Sequence, residues 1–270
     1  MGKKQERGRR IGLEYKNSII INSIVFIVMF FAAVSLNQTM VMAENVEGSI
    51  NVNGKKVIYL TFDDGPSNIT NNVLDVLKQK NVKATFFVIG NQIPDNENII
   101  KKISSEGHSI GLHTYTHKYG NIYRTSDNFI KEMNVTRDMV KKITGVESNI
   151  IRFPGGSRKH LNNKFLQKLH ENKFKIYDWN IQASDGINAK TSPYKIFKET
   201  TTNPENLNSI ILLMHCDYMH KNTCTALPKI IDYYKNEGYE FKIITEDTEE
   251  LYFPISTKKA SGFFKKILTN

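Results

Sequence analysis

A chain of 270 residues that is 40% hydrophobic and 24% charged, with 16 Gly and 7 Pro, has ordinary globular composition and length enough for one sizeable domain. Its formal net charge is +10; residues 1–16 hold six positive and two negative charges, which leaves +6 on the rest and suits an anionic surface. Basic and aromatic residues are not interleaved as in nucleic-acid binders, which excludes that class of partner, and no second domain or internal repeat is visible.

In chain order, Lys3, Lys4, Arg7, Arg9, Arg10 and Lys16 precede an apolar run from Ile19 to Leu36 that is broken only by Asn22, Ser23 and Ser35. This is the pattern of an export signal, and Val41-Met42-Ala43 before Glu44 offers a small-residue cleavage site, so residues 1–43 are expected as a removed signal peptide. The run is close to the roughly 20 residues that span a bilayer, which keeps an uncleaved membrane anchor as the alternative. In either case the body is expected outside the cytoplasm, secreted or anchored in the cell membrane. Residues 44–54 read as a polar linker, 55–250 as the folded domain, and 251–270 as a basic tail in which Lys258, Lys259, Lys265 and Lys266 flank Phe263 and Phe264.

Within the body, alternating or β-branched runs predict strands at 57–62, 84–89, 109–112, 150–153, 176–179, 209–215 and 239–244. Apolar residues at helical spacing predict helices at 69–80, 97–106, 127–144, 162–172, 193–201 and 226–237, several closed by Gly. Alternation of this kind means parallel strands joined by helical crossovers, an α/β fold, and about seven strands suit a distorted (β/α) barrel better than an open doubly wound sheet. In such barrels the chemistry gathers at the C-terminal ends of the strands, and polar residues stand at five of those ends: Asp63-Asp64, His113, Arg152, Trp179 to Asp185, and His215.

Gly65-Pro66 breaks the first strand, and a turn beginning at Asp64 would let both adjacent carboxylates face one cleft. Such neighbours repel unless a cation lies beside them; a metal would take one as ligand and leave the other as a base, whereas a solvated Asp-Asp-Gly turn is the plainer alternative. His113 and His117, at i and i+4 after a strand, would share one side of a helical turn and reach one ion, or else be polar loop residues. An Asp-His-His set with an open position is the catalytic kind of metal site.

Thr61-Phe62-Asp63-Asp64-Gly65, His113-Thr114-Tyr115-Thr116-His117, Arg152-Phe153-Pro154-Gly155-Gly156 and Leu213-Met214-His215 together resemble, in order, the signature motifs of the polysaccharide deacetylase family, and Lys83-Ala84-Thr85-Phe86-Phe87 is similar to its second strand. The resemblance covers roughly residues 57–244. It implies a distorted (β/α) barrel and metal-dependent removal of acetyl groups from sugars in a polymer. It further implies that Asp63 is the general base, that Asp64, His113 and His117 hold one divalent ion (zinc by default, with cobalt and nickel open), and that Arg152 orients the base. His215 would be the general acid with Asp185 as its partner, the Gly155 amide would help hold the oxyanion, and Leu213 and Trp179 would line the substrate site, with core packing as the alternative for both.

Three departures stand out. Gly155 replaces a usual aromatic; Gly186 and Gln182 stand where Trp and Asp are frequent, a loss read as groove wall rather than catalytic groups; and Cys216 replaces an acidic residue. Cys216 and Cys224, the only two cysteines, admit either a disulfide bracing the His215 loop or two separate thiols. The expected partner is acetylated polysaccharide, peptidoglycan N-acetylglucosamine foremost, and the expected state a monomer. Rivals are N-acetylmuramic acid, chitin oligomers, O-acetyl xylan, or a non-catalytic wall-binding protein, the last opposed by the complete set Asp63, Asp64, His113, His117, Arg152 and His215.

Overall fold

The computed structural model describes residues 55–202 and 206–255; the expected signal or anchor, the linker and residues 256–270 of the expected tail lie outside them. Among the described residues no helix is long and apolar enough to cross a membrane.

The strands are β1 Val57–Gly65, β2 Thr85–Val88, β3 Ser109–Leu112, β4 Ile150–Ile151, β5 Lys175–Ile176, β6 Ile181–Gln182, β7 Ser209–His215 and β8 Glu240–Lys242. Seven follow the order β5-β4-β3-β2-β1-β7-β6, every pairing is parallel, and β8 pairs β1. Because β7 pairs β1 over Val57–Asp63, β8 takes the other edge of β1 at Val57–Tyr59, ahead of the point where β2 joins at Thr61. All seven expected strands are present, and the two-residue β6 is additional.

β5 and β6 end the path on opposite sides, yet Ile176 and Ile181 are separated by four residues. Five steps of chain reach at most about 18 Å. A flat seven-stranded sheet would hold its edges about 29 Å apart at ~4.8 Å per spacing. The sheet therefore curls into a half-barrel, as the crossover pattern predicts.

The two-residue period of a strand sorts its side chains into two cores. Outward go Ile58, Leu60, Phe62, Phe86, Val88, Ile210, Leu212 and Met214, which join the helices in the larger cluster. Inward go Tyr59, Phe87, Ile150, Tyr177 and Ile211, closed from below by Ile244 and Leu251. Each large apolar side chain so buried contributes roughly 1.5–3 kcal/mol. Leu251 bridges Tyr177 and the Phe253 amide donates to Asp178 Oδ2 at 2.8 Å, so residues 251–255 belong to the domain rather than to the tail in which the sequence reading set them.

The helices are α1 Asn68–Gln79, α2 Glu97–Ser105, α3 Tyr119–Ile122, α4 Ser126–Thr144, α5 Asn163–Glu171, α6 Pro193–Thr201 and α7 Lys221–Asn236. Capping side chains start four of them: Ser67, Thr125, Asn162 and Ser192 each accept from an amide of the first turn. The Ser67 hydroxyl also donates to Cys216 O at 2.7 Å, tying α1 to the end of β7. α7 begins at Lys221, ahead of the expected 226, and continues through Pro228. The disulfide does not form: Cys216 and Cys224 are free, and the buried Cys216 thiol faces Thr70 Oγ1 at 3.4 Å and the Asp63 carbonyl at 3.5 Å instead of the loop toward α7.

Candidate active site

The inward period of β1 delivers Tyr59, Thr61 and then Asp63 to the mouth of the half-barrel. Asp64 should face away, but its φ of 68° lies in the left-handed region and the β1–β2 register slips between Asp63 and Gly65. The expected turn is thus a bulge within the strand, and bulges re-aim side chains. Both carboxylates come to one histidine nitrogen: His113 Nε2 is 3.7 Å from Asp63 Oδ2 and 3.5 Å from Asp64 Oδ1.

Asp63, 3% exposed, is held through one oxygen only. Arg152 Nη1 donates to Asp63 Oδ1 at 2.9 Å and to Thr61 Oγ1 at 2.7 Å, while its Nε and Nη2 donate to the carbonyls of Tyr177 (2.6 Å) and Asp178 (3.1 Å). The guanidinium lies 4.1 Å above the Phe87 ring. A fully buried cation needs such satisfaction, and one so constrained fixes the carboxylate it grips.

His113 and His117 do converge, with ring centroids 5.1 Å apart, but not on a helical turn. Thr114 and His117 have φ of 67° and 54°, and the segment is a loop. Glu132 of α4 shapes it, accepting from the amides of Tyr115 (3.1 Å) and Thr116 (2.9 Å) and from the Thr116 hydroxyl and the Asn121 side chain. Sequence reasoning missed Glu132, although an acid set among Phe129, Ile130, Met133 and Thr136 on the buried face of a helix is the signal that could have found it.

Asp64 Oδ1 is buried and has no hydrogen-bond partner, yet it stands 3.3 Å from His117 Nε2 and 3.5 Å from His113 Nε2. Two ligands ~2.1 Å from one tetrahedral ion lie about 3.4 Å apart. Burial draws the His113 pKa down against the pull of Asp63 and Asp64, so the ring is neutral, and its Nδ1 lies 2.9 Å from the Arg152 carbonyl, which leaves the Nε2 lone pair free. An orphaned carboxylate oxygen facing two imidazole nitrogens at that spacing fits a zinc-like ion. The adjoining cleft, about 420 Å³, is lined by Asp64, Asn91, Gln92, Thr116, His117 and Asp217.

On the neighbouring strand, β7 pairs His215 directly with Asp63 of β1. His215 Nδ1 lies 3.1 Å from Asp185 Oδ1, and Asp185 Oδ2 accepts from the His215 amide and from Thr223 Oγ1, each at 2.9 Å. Burial alone would lower the His215 pKa; the Asp185 hydrogen bond and charge, with Asp63 and Asp64 farther off, raise it to about 9. Burial pushes the Asp185 pKa up, but its bonds to His215 and Thr223 outweigh that and hold it below the usual carboxylate value. His220, also missed, stacks on His215 with centroids 5.4 Å apart and is itself held by Asp217 Oδ1 at 2.7 Å and the Asp185 carbonyl at 3.2 Å. Gly186 is more than absent groove wall: a Cβ there would collide with the His215 ring, so that ring position requires glycine.

Leu213 is 4% exposed, inward on β7, and belongs to neither core cluster. Trp179 is half-buried, donates through Nε1 to Gln182 Oε1 at 2.7 Å, and packs edge-on against Phe253. Among the described residues the Gly155 amide donates to no protein acceptor.

A family model described as polysaccharide deacetylase matches residues 51–177. The chain is 34% identical to the peptidoglycan-N-acetylglucosamine deacetylase of Bacillus cereus over 76% of its own length and 74% of the relative's. A polysaccharide deacetylase crystal structure from Bacillus cereus is 32% identical with a TM-score of 0.66, covering 75% of this chain and 97% of that one. The catalytic domain of the peptidoglycan N-acetylglucosamine deacetylase from Eubacterium rectale is 29% identical with a TM-score of 0.69, covering 79% of this chain and 99% of that one.

Proposed function

The chain belongs to the polysaccharide deacetylase family, and from that premise and the geometry of the site we propose that it is a metal-dependent hydrolase removing N-acetyl groups from cell-wall glycan, N-acetylglucosamine of peptidoglycan foremost. The observation that carries the reading is the orphaned Asp64 Oδ1 facing His113 and His117 within reach of the Asp63 and His215 pair. The choice of sugar follows the names of the Bacillus cereus and Eubacterium rectale relatives.

Asp64, His113 and His117 would hold the ion, zinc by default. Bound there, it would supply Lewis acidity that lets water lose a proton near neutral pH. Arg152 occupies Asp63 Oδ1, which leaves Oδ2 as the oxygen that accepts the proton from the attacking water. The unpaired Gly155 amide is available to the oxygen on which charge develops. Leu213 offers an apolar wall for the acetyl methyl. An amine leaves only once protonated, and His215, kept charged by Asp185, donates that proton from Nε2. We take the body to act outside the cytoplasm because its glycan lies there and residues 1–43 carry an export pattern.

The test is mass analysis of purified muropeptides and of chitin oligomers before and after incubation, with chelation and readdition of zinc. Acetyl loss from the glucosamine unit that stops on chelation and returns with metal is the expected result. Acetyl loss confined to muramic acid or to chitin oligomers, or found only when acetylated xylan is incubated in the same way, would move the substrate. No loss from any glycan would remove the enzyme reading.

A further inference from the structure

Gly155 has φ of 72°, and a Cβ there would meet the Tyr119 hydroxyl at 2.6 Å and its Cε1 and Cζ at 3.4 Å. The room that a side chain at 155 would use is thus filled by a phenol from α3. The Tyr119 ring stands edge-on to His117 with centroids 5.7 Å apart, so it reaches from the proposed metal cluster to the Gly155 turn. Its surroundings are well anchored: Tyr123 Oη donates to the Pro154 carbonyl at 2.6 Å, the Asn121 side chain donates to Glu132, and Ile122 is fully buried. Tyr119 itself is 49% exposed. Among the described residues its hydroxyl has no hydrogen-bond partner, and neither has the neighbouring Gly155 amide. Two adjacent unpaired donors at the open side of one cluster are a site for an oxygen acceptor.

We propose that Tyr119 contacts the substrate, its O–H donating to the acyl oxygen alongside the Gly155 N–H and strengthening as charge develops there. This rests on the deacetylase reading, and it gives the Gly155 departure a consequence: glycine keeps the amide and makes room for a second donor that a side chain at this position would displace.

Tyr119→Phe keeps the ring and its packing and removes only the donor. With the zinc-loaded protein and the β-1,4-linked tetramer of N-acetylglucosamine, kcat should fall about tenfold with KM, zinc content and unfolding midpoint unchanged, the size of one hydrogen bond made in the transition state. An unchanged kcat, or a raised KM with kcat intact, would overturn the assignment. Binding of carbon-13-labelled acetate followed by NMR gives a second readout independent of turnover: the variant should bind acetate about tenfold more weakly, and equal binding would overturn the proposal. A wild-type protein that binds acetate but deacetylates nothing would defeat the proposed function, while the acetate comparison would still decide Tyr119.

Discussion

Two clusters of one aspartate and two histidines lie at the mouth of the half-barrel, beside the paired ends of β1 and β7, and they are built for opposite ends. In Asp64, His113 and His117 the carboxylate oxygen has no hydrogen bond, and burial depresses the His113 pKa. In Asp185, His215 and His220 every side-chain position but His215 Nε2 is taken: both Asp185 oxygens accept two bonds, both His220 nitrogens have partners, and His215, held through Nδ1, is pushed up to about 9. Composition does not separate them. What separates them is which lone pairs remain unsatisfied, since an ion needs bare donors whereas a proton carrier needs a fixed tautomer and a stabilising charge.

The largest effect should come from emptying the first cluster. A His113→Ala, His117→Ala double variant should lose its zinc and all measurable turnover, while His220→Ala should keep one zinc per chain by elemental analysis. Two zinc ions per wild-type chain, one of them lost with His220, would break the comparison. Next, Asp63→Asn should retain the metal but lower kcat by about 10²–10⁴-fold at every pH, the range for a general base; zinc lost along with activity would make Asp63 a ligand.

Gly186→Ala probes the second cluster sterically. Its methyl group would displace the His215 ring, and kcat should fall by about 10²-fold with metal content unchanged. Full activity would show that His215 works from another position. The smallest and most specific effect is in pH dependence. Removing the negative charge in Asp185→Asn withdraws the main support of the charged His215, so the alkaline limb of kcat/KM should move down from about pH 9 toward the ordinary histidine value near 6.5. Rates above that value should fall while those below it change less, and a limb that stays in place would separate Asp185 from the acid.

The strand order along the chain, the α/β class and the polar residues at strand ends were legible because they are local. Tyr59, Thr61 and Asp63 share a face by the two-residue period, and Asp63, Asp64, His113, Arg152, Asp185 and His215 do converge where strand ends predicted. Other features were set through space. The loop between His113 and His117 follows Glu132, a residue fifteen positions beyond His117 on another element, so helical spacing reached the right pair by the wrong geometry. Cys216 turned toward Thr70 rather than Cys224 because the start of α1 is held at the end of β7, where the Ser67 and Thr70 hydroxyls both donate to the Cys216 carbonyl.

Residue identity and periodicity determined by themselves that Tyr59, Thr61 and Asp63 point into the half-barrel, since neighbours in sequence fix which face a strand residue takes, whereas Asp64 and His117 reach the mouth through a bulge and a loop. Only the tertiary structure decided what each could do there. Whether Asp64 is bare, whether His215 is charged, and whether Gly155 and Gly186 make room for Tyr119 and His215 all depend on partners distant in the chain, and unpaired donors and filled space are properties of the packed molecule.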